Sequence, residues 1–226
     1  MIVLGLDTAT RRSSVALARA GRIVSLVLLD GQSGRAGDLL ARLDELLTGA
    51  GLRPADLGGI AVTVGPGSFT GVRIGMATAK GLAYSLDVPL AGLSTLEALA
   101  RAALPSAGDA PGLGAVLEAG KGEVYAALFR REGAELRRET EDRSWRPRDL
   151  VRETPAGTIL VGDAVATLRR EAGWDGADLQ GIEPQPALAG AVALWGGTTL
   201  SPGGGYEAGG LRPNYVRPSD AVKARR

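Results

Sequence analysis

Ile60-Ala61-Val62-Thr63-Val64-Gly65-Pro66-Gly67-Ser68-Phe69-Thr70-Gly71-Val72-Arg73-Ile74-Gly75 is the stretch that decides the fold class. Ile60 to Val64 is an apolar, β-branched run of the kind that lies in a covered sheet. Glycine and proline break it at Gly65 to Gly71, after which a helical stretch from about Val72 to Ser85 leads to a second strand at Val88 to Leu93. Strand, helix, strand implies a parallel crossover, and therefore an α/β protein.

Upstream, residues 2–7, 14–18 and 22–29 are three β-type runs joined by short turns, a three-stranded meander. Leu39, Leu40, Leu43, Leu46 and Leu47 then recur at helical spacing, with Gly49 and Gly51 as the stop. Downstream, Ser94 with Glu97 three residues on is a capping-box signal for a helix running through Ala103. Residues 1–104 thus read as one lobe, βββαβαβα, and the Pro- and Gly-rich stretch 105–111 as a linker.

The same order starts again at 112. Runs at 113–118, 123–130 and 134–140 form a second meander, followed by a helix near 147–152, a strand at 158–161, and helices at 164–172 and 187–195. No residue-level repeat is visible, so order alone predicts a two-lobed, actin-like duplication of a ribonuclease H-like unit, each lobe a mixed sheet with flanking helices. The second lobe is expected to span 112–200, and 201–226 to form a Gly-rich linker and a basic tail running over the surface.

Composition narrows the chemistry. The 226 residues include 34 glycines, no cysteine and no histidine, which excludes disulfides, a thiol nucleophile and the commonest general base and neutral metal ligand. With 26 basic and 25 acidic residues, no whole-molecule field draws the chain to nucleic acid or to an anionic membrane, so any RNA contact has to be local. Met1 to Asp7 carries no basic lead and only a short apolar run, from which a cytoplasmic location is expected.

The glycine loop opens a helix, where free amides suit an anion. It lacks both the third glycine of a dinucleotide fingerprint, since Thr70 stands there, and the Gly-Lys-Ser/Thr ending of a P-loop. The structural reading is that Ser68 or Thr70 caps the helix, Pro66 stiffens the turn, and Gly65, Gly67 and Gly71 permit unusual backbone angles or close approach. Ser68 as a nucleophile would need Lys80, Lys121, Lys223 or a carboxylate as its base. The following helix is thin, with Gly75, Ala77, Ala79, Gly81 and Ala83, and carries only Arg73 and Lys80 as charges, which suits burial on more than one side. Asp7, at the first hairpin turn, and Glu118, at the corresponding turn of the second lobe, are the acidic pair that would face each other across an interlobe cleft. For each, the plain alternative is a carboxylate bonded to turn amides.

At these residues the chain closely resembles the bacterial TsaB family, also called YeaZ. The resemblance is carried by the loop Gly65, Pro66, Gly67, Ser68, Phe69, Thr70, Gly71, Val72, Arg73, Ile74 and Gly75, and by Leu6-Asp7-Thr8-Ala9-Thr10. Ser94-Thr95-Leu96, Gly122-Glu123-Val124-Tyr125 and the ending Pro213-Asn214-Tyr215-Val216-Arg217 support it. Arg35, Glu118 and Gly120 depart from the family pattern, which more often has His, Asp and Arg there.

The resemblance implies a non-catalytic dimerisation subunit, without a metal or cofactor of its own. It would pair with a catalytic actin-like paralogue of the TsaD type and work with a P-loop ATPase of the TsaE type. The reaction served is threonylcarbamoyl transfer to N6 of adenosine 37 in tRNAs reading ANN codons, with tRNA met through the complex. In the family, the helices matching Gly37 to Thr48 and Val72 to Ser85 supply the pairing face, which makes Leu39, Leu43, Leu46, Ala77, Lys80 and Tyr84 the expected partner contacts. A homodimer through the same face is a side state. Asp7 and Glu118 are then vestigial, nucleotide-facing positions. The rival readings are an ATP-dependent phosphotransferase or peptidase acting alone, and an RNA-binding module using Arg11, Arg12 and the tail residues Arg212, Arg217, Lys223, Arg225 and Arg226.

Overall fold

The computed structural model describes residues 1–29, 36–172, 180–182, 186–205 and 210–216. Arg35 and residues 217–226 lie outside them, as does 206–209 of the expected linker. The chain divides into two compact units, one of Met1–Thr95 with Ala187–Asn214 and one beginning at Leu96 and running to Pro186.

In the first unit, β1 (Ile2–Asp7), β2 (Ser14–Arg19) and β3 (Arg22–Leu28) form the expected meander, and β4 (Gly59–Thr63) and β5 (Leu90–Leu93) add in parallel beyond β1. The strand order is β3-β2-β1-β4-β5. Between β3 and β4 runs α1 (Ala36–Gly49), and between β4 and β5 runs α2 (Phe69–Leu86). The start of α2 lies nearly a turn before the expected Val72 because Ser68 is its N-cap. The apolar stripe of α1, Leu39, Leu43, Leu46 and Leu47, is buried in one cluster with Leu4, Leu6, Ile60 and Val62 of the sheet and with Val72, Met76, Ala79 and Ala83 of α2. A buried leucine contributes about 1.5–3 kcal/mol by leaving water, so this face of α1 is committed to its own unit.

The second unit repeats the plan. β6 (Gly112–Gly120), β7 (Glu123–Glu132) and β8 (Glu135–Arg138) are antiparallel, while β10 (Thr158–Val161) and β11 (Gln180–Ile182) extend the sheet in parallel beyond β6. Its order, β11-β10-β6-β7-β8, is the same third-second-first-fourth-fifth arrangement read from the other edge. α4 (Pro147–Glu153) and α5 (Val165–Ala172) occupy the places of α1 and α2. β9 (Arg143–Trp145), which pairs with β7, and β11 escape the sequence reading because three residues are too few for a period-2 pattern to register. The doubled unit is the expected actin-like fold.

The expected lobe boundaries need correction. The change of unit comes at Thr95 and Leu96, not at 105–111, which holds a single 3-10 turn, Leu104–Ser106, and a loop. α3 (Thr95–Ala103) follows the first sheet in sequence, yet its Glu97 pairs with Arg138 of β8 at 3.2 Å and a Cβ on Gly162 would meet its Leu99. α6 (Ala189–Thr199), expected in the second lobe, packs on the first sheet instead. Each unit is thus completed by the helix that follows the other unit's sheet. The tail too is partly corrected: Leu211 packs on the first core, and the Asn214 amide donates to the Val64 carbonyl at 2.7 Å.

Small residues let α6 lie close to β1 and β2. Ala16, Ala18, Ala189 and Ala193 share one cluster, and a Cβ on Gly5 would stand 2.3 Å from the Ala189 carbonyl oxygen and 2.6 Å from the Ala193 nitrogen. Gly5→Ala is therefore expected to lower stability by at least the ~1–3 kcal/mol typical of overpacking. Gly81→Ala, in α2 with nothing within 4 Å of the new methyl, is expected to raise it by about 0.5–1 kcal/mol. Urea midpoints of the two variants, moving in opposite directions, check both.

Candidate functional site

Asp7 closes β1 beside Thr63, the last residue of β4, and its side chain is fully buried. Its Oδ1 accepts from the Ala9 amide at 3.0 Å and the Thr63 hydroxyl at 2.8 Å, and its Oδ2 from the Thr10 hydroxyl at 2.5 Å. Burial pushes the carboxyl above its ordinary range, while the hydrogen bonds from Thr10, Thr63 and Ala9 pull the other way without reversing it. Thr63 and Thr10 were not singled out in the sequence. The signal for Thr63 was a hydroxyl at the end of an otherwise apolar strand, and for Thr10 its place three residues after Asp7 in the same turn.

The glycine loop clamps the same turn. The Ser68 amide donates to the Ala9 carbonyl at 2.8 Å, the Thr8 hydroxyl donates to the Gly71 carbonyl at 2.7 Å, and the Ser68 hydroxyl accepts the Gly71 amide at 3.1 Å as the helix cap. Backbones meet with no room between them: a Cβ on Gly71 would lie 1.9 Å from the Thr8 carbonyl oxygen, and one on Gly67 2.3 Å from that of Ala9. Gly65 has a φ of +102°, open to glycine alone among common residues. Gly65 and Pro66 are buried, Ser68, Phe69 and Thr70 form the exposed tip, and the Arg73 guanidinium lies 3.7 Å from the Phe69 ring centre. Ser68 is placed as a cap, and its amide and hydroxyl serve the fold. Among the described residues there is no group of three or more His, Cys, Asp or Glu arranged to hold a metal ion.

Glu118 lies in β6 of the second unit, where its amide donates to Asp163 Oδ1 at 2.9 Å and its Oε1 accepts from the Thr167 hydroxyl. Asp7 and Glu118 are therefore each bonded inside their own unit: Asp7 takes a turn amide, as its plain alternative has it, whereas the Glu118 carboxylate takes the Thr167 hydroxyl of α5. Gly120 and Lys121 sit at the exposed β6–β7 turn.

The expected partner contacts divide. Leu39, Leu43 and Leu46 are 2–4% exposed, so their side chains belong to the core of the first unit and are withdrawn as contacts. A stripe regular enough to be noticed in sequence is the stripe that faces the helix's own sheet. Of the five leucines at that spacing Leu40 is the exception, turned out of the core and 51% exposed. Lys80 donates to the Leu211 carbonyl at 2.9 Å and is half-buried, so it holds the returning C-terminal segment. Ala77 and Tyr84 are exposed, together with Arg73 and Gly81, as one stripe along α2.

The raised Asp7 carboxyl has a consequence in pH. The folded protein holds this proton more tightly than the unfolded chain, so the contribution is full below the unfolded value near 3.9 and is lost as pH rises through the raised native value. Asp7→Asn keeps an acceptor for Ala9 and Thr63 and a donor toward Thr10. It is expected to fold, to lack this loss, and to be at least as stable as the parent near neutrality. Urea midpoints of both proteins from about pH 4 to about pH 8 check it.

The family model described as "TsaD: tRNA N6-adenosine threonylcarbamoyltransferase" matches residues 36–172. The Escherichia coli "tRNA threonylcarbamoyladenosine biosynthesis protein TsaB" is 38% identical over 132 residues, 58% of this chain and 56% of that protein. In that alignment the chain spans little more than half the length of its relative. The protein of the same name from Buchnera aphidicola is 31% identical over 174 residues, 75% of this chain and 82% of its own. A crystal structure from Pseudomonas aeruginosa, described as an uncharacterized protein with similarity to peptidase YEAZ, superposes with a TM-score of 0.81 at 28% identity, covering 96% of this chain and 99% of that one. The family model spans more than half of this chain, and the Buchnera alignment covers most of both proteins: this chain belongs to the TsaB (YeaZ) family.

Proposed function

We propose that the chain is the non-catalytic, activating subunit of a tRNA-modifying assembly. It pairs with a TsaD-type paralogue that transfers threonylcarbamoyl to N6 of adenosine 37 in tRNAs reading ANN codons, alongside a TsaE-type ATPase, in the cytoplasm. The observation that carries this reading is the closed Asp7 site. In an actin-like phosphotransferase the acidic residue at this turn serves a metal-bound nucleotide, whereas here both carboxylate oxygens accept from the protein itself and the side chain is fully buried. The names carried by the E. coli and Buchnera relatives, which place them in tRNA threonylcarbamoyladenosine biosynthesis, support the same reading.

Contact replaces chemistry in this proposal. The face offered to the paralogue is the exposed stripe of α2, Ala77, Gly81 and Tyr84, with Leu40 of the neighbouring α1. Glycine and alanine there allow a helix of the partner to approach closely, and Tyr84, 75% exposed, supplies a large apolar surface with a polar tip.

The test is to co-purify the chain with the larger actin-like paralogue of its own genome and to measure tRNA threonylcarbamoylation with and without it. A stable complex whose activity depends on this chain is expected. Ala77→Glu, at an exposed position, is expected to abolish both while shifting the chain's own stability by no more than about 0.5 kcal/mol. A paralogue that neither binds the chain nor needs it would overturn the proposal, as would magnesium-dependent turnover of ATP by the isolated chain.

A further inference from the structure

In the second unit, the β6–β7 turn, α4 with the residue before it, and α5 enclose an open groove of about 720 Å³. Five cations line it: Lys121, Arg146, Arg148, Arg152 and Arg170. All five are exposed, in a chain whose formal charge is only +1. Three acidic residues share the lining, Glu123, Asp149 and Glu171. Two of these are engaged: Glu123 accepts from the Ser144 hydroxyl at 2.6 Å, and Glu171 pairs with Arg170 at 3.3 Å. Arg148 donates to the Glu171 backbone carbonyl at 3.2 Å, which leaves its charge unneutralised. Arg146 and Arg152 make no ion pair among the described residues.

We propose that this groove binds the sugar-phosphate backbone of RNA, and that it is the place where the chain itself touches the tRNA handled by its assembly. The inference rests on the proposed role in tRNA modification. Four of the five cations are arginines, whose planar guanidinium fork matches two phosphate oxygens at once. Arg148 and Arg152 stand four residues apart on one face of α4, about 6 Å along its axis, so a strand following the helix meets them in succession. The groove is wide and polar, and among its lining residues none is aromatic, so contacts go to phosphates and carry no base sequence. Such a surface suits a subunit that serves many tRNAs of different sequence.

The experiment uses the full chain and a fluorescent anticodon stem-loop RNA, with affinity measured by anisotropy across a salt series. Binding that weakens linearly in log–log form is expected. Arg146→Gln/Arg152→Gln is expected to make the salt slope shallower by about 1.5, roughly 0.7 to 0.9 for each lost phosphate contact. Arg19→Gln/Arg22→Gln, the same change of net charge at exposed positions of β2 and β3, is expected to leave the slope unchanged. Equal slopes for the two variants, no measurable RNA binding by the parent, or equally tight binding of polyglutamate would each overturn the inference. Should the parent and its paralogue modify tRNA while the groove variant keeps its slope, the groove fails and the functional proposal stands. Slope loss with a paralogue that ignores the chain gives the reverse.

Discussion

The structure depends on the backbone contact between the Thr8–Thr10 turn and the loop from Gly65 to Gly75. Two main chains pass closely enough that a methyl group on Gly67 or Gly71 would overlap a carbonyl oxygen of Ala9 or Thr8, and one on Gly75 would overlap the Thr8 hydroxyl. The amide of Ser68 and the hydroxyl of Thr8 stitch them together. This contact joins the end of β1 to the start of α2, and so fixes the helix on the sheet and delivers Thr63 and Thr10 to Asp7. A strand-to-helix loop that elsewhere would present free amides to a phosphate is used here to hold the chain's own turn.

That use decides what the site is able to do. A buried acid that already has three donors, and whose proton is held more tightly than usual, is a poor metal ligand, because a cation would have to displace hydrogen bonds and enter a dry site. The helix that follows is left with a bare outer stripe. Close backbone packing on one side and small residues on the other make α2 both a structural centre of the first unit and one of its exposed faces. The two roles need different residues, and the division of α1 between its buried leucines and the exposed Leu40 follows the same rule.

The duplication has its own logic. Both sheets have the same strand order, and each is completed by the helix that follows the other. α6 lies on β1, β2 and β4 through alanines and glycines, whereas α3 brings the charged pair Glu97 and Arg101 to its unit. The near-neutral charge of the whole chain likewise conceals a local distribution. In the second unit five cations gather around one groove, although the totals of acid and base nearly cancel.

Local order is what the sequence by itself determined. The apolar run of β4, the glycine break, the thin helix and the repeated meanders are patterns within a few residues, and they sufficed for the α/β class, the actin-like duplication and the family. Ser68 as a cap and Asp7 as a turn carboxylate were legible for the same reason, since their main partners are near neighbours. What only the tertiary structure decided lies between distant segments: the bond from Thr63 to Asp7, the capture of Lys80 by Leu211, the docking of Leu211 and Asn214, and the assignment of α3 and α6 to their units. Periodicity tells that a helix has a buried face and is silent on which sheet covers it. The resemblance pointed to α1 for pairing and named Leu39, Leu43 and Leu46 on it, when long-range packing had made them the core.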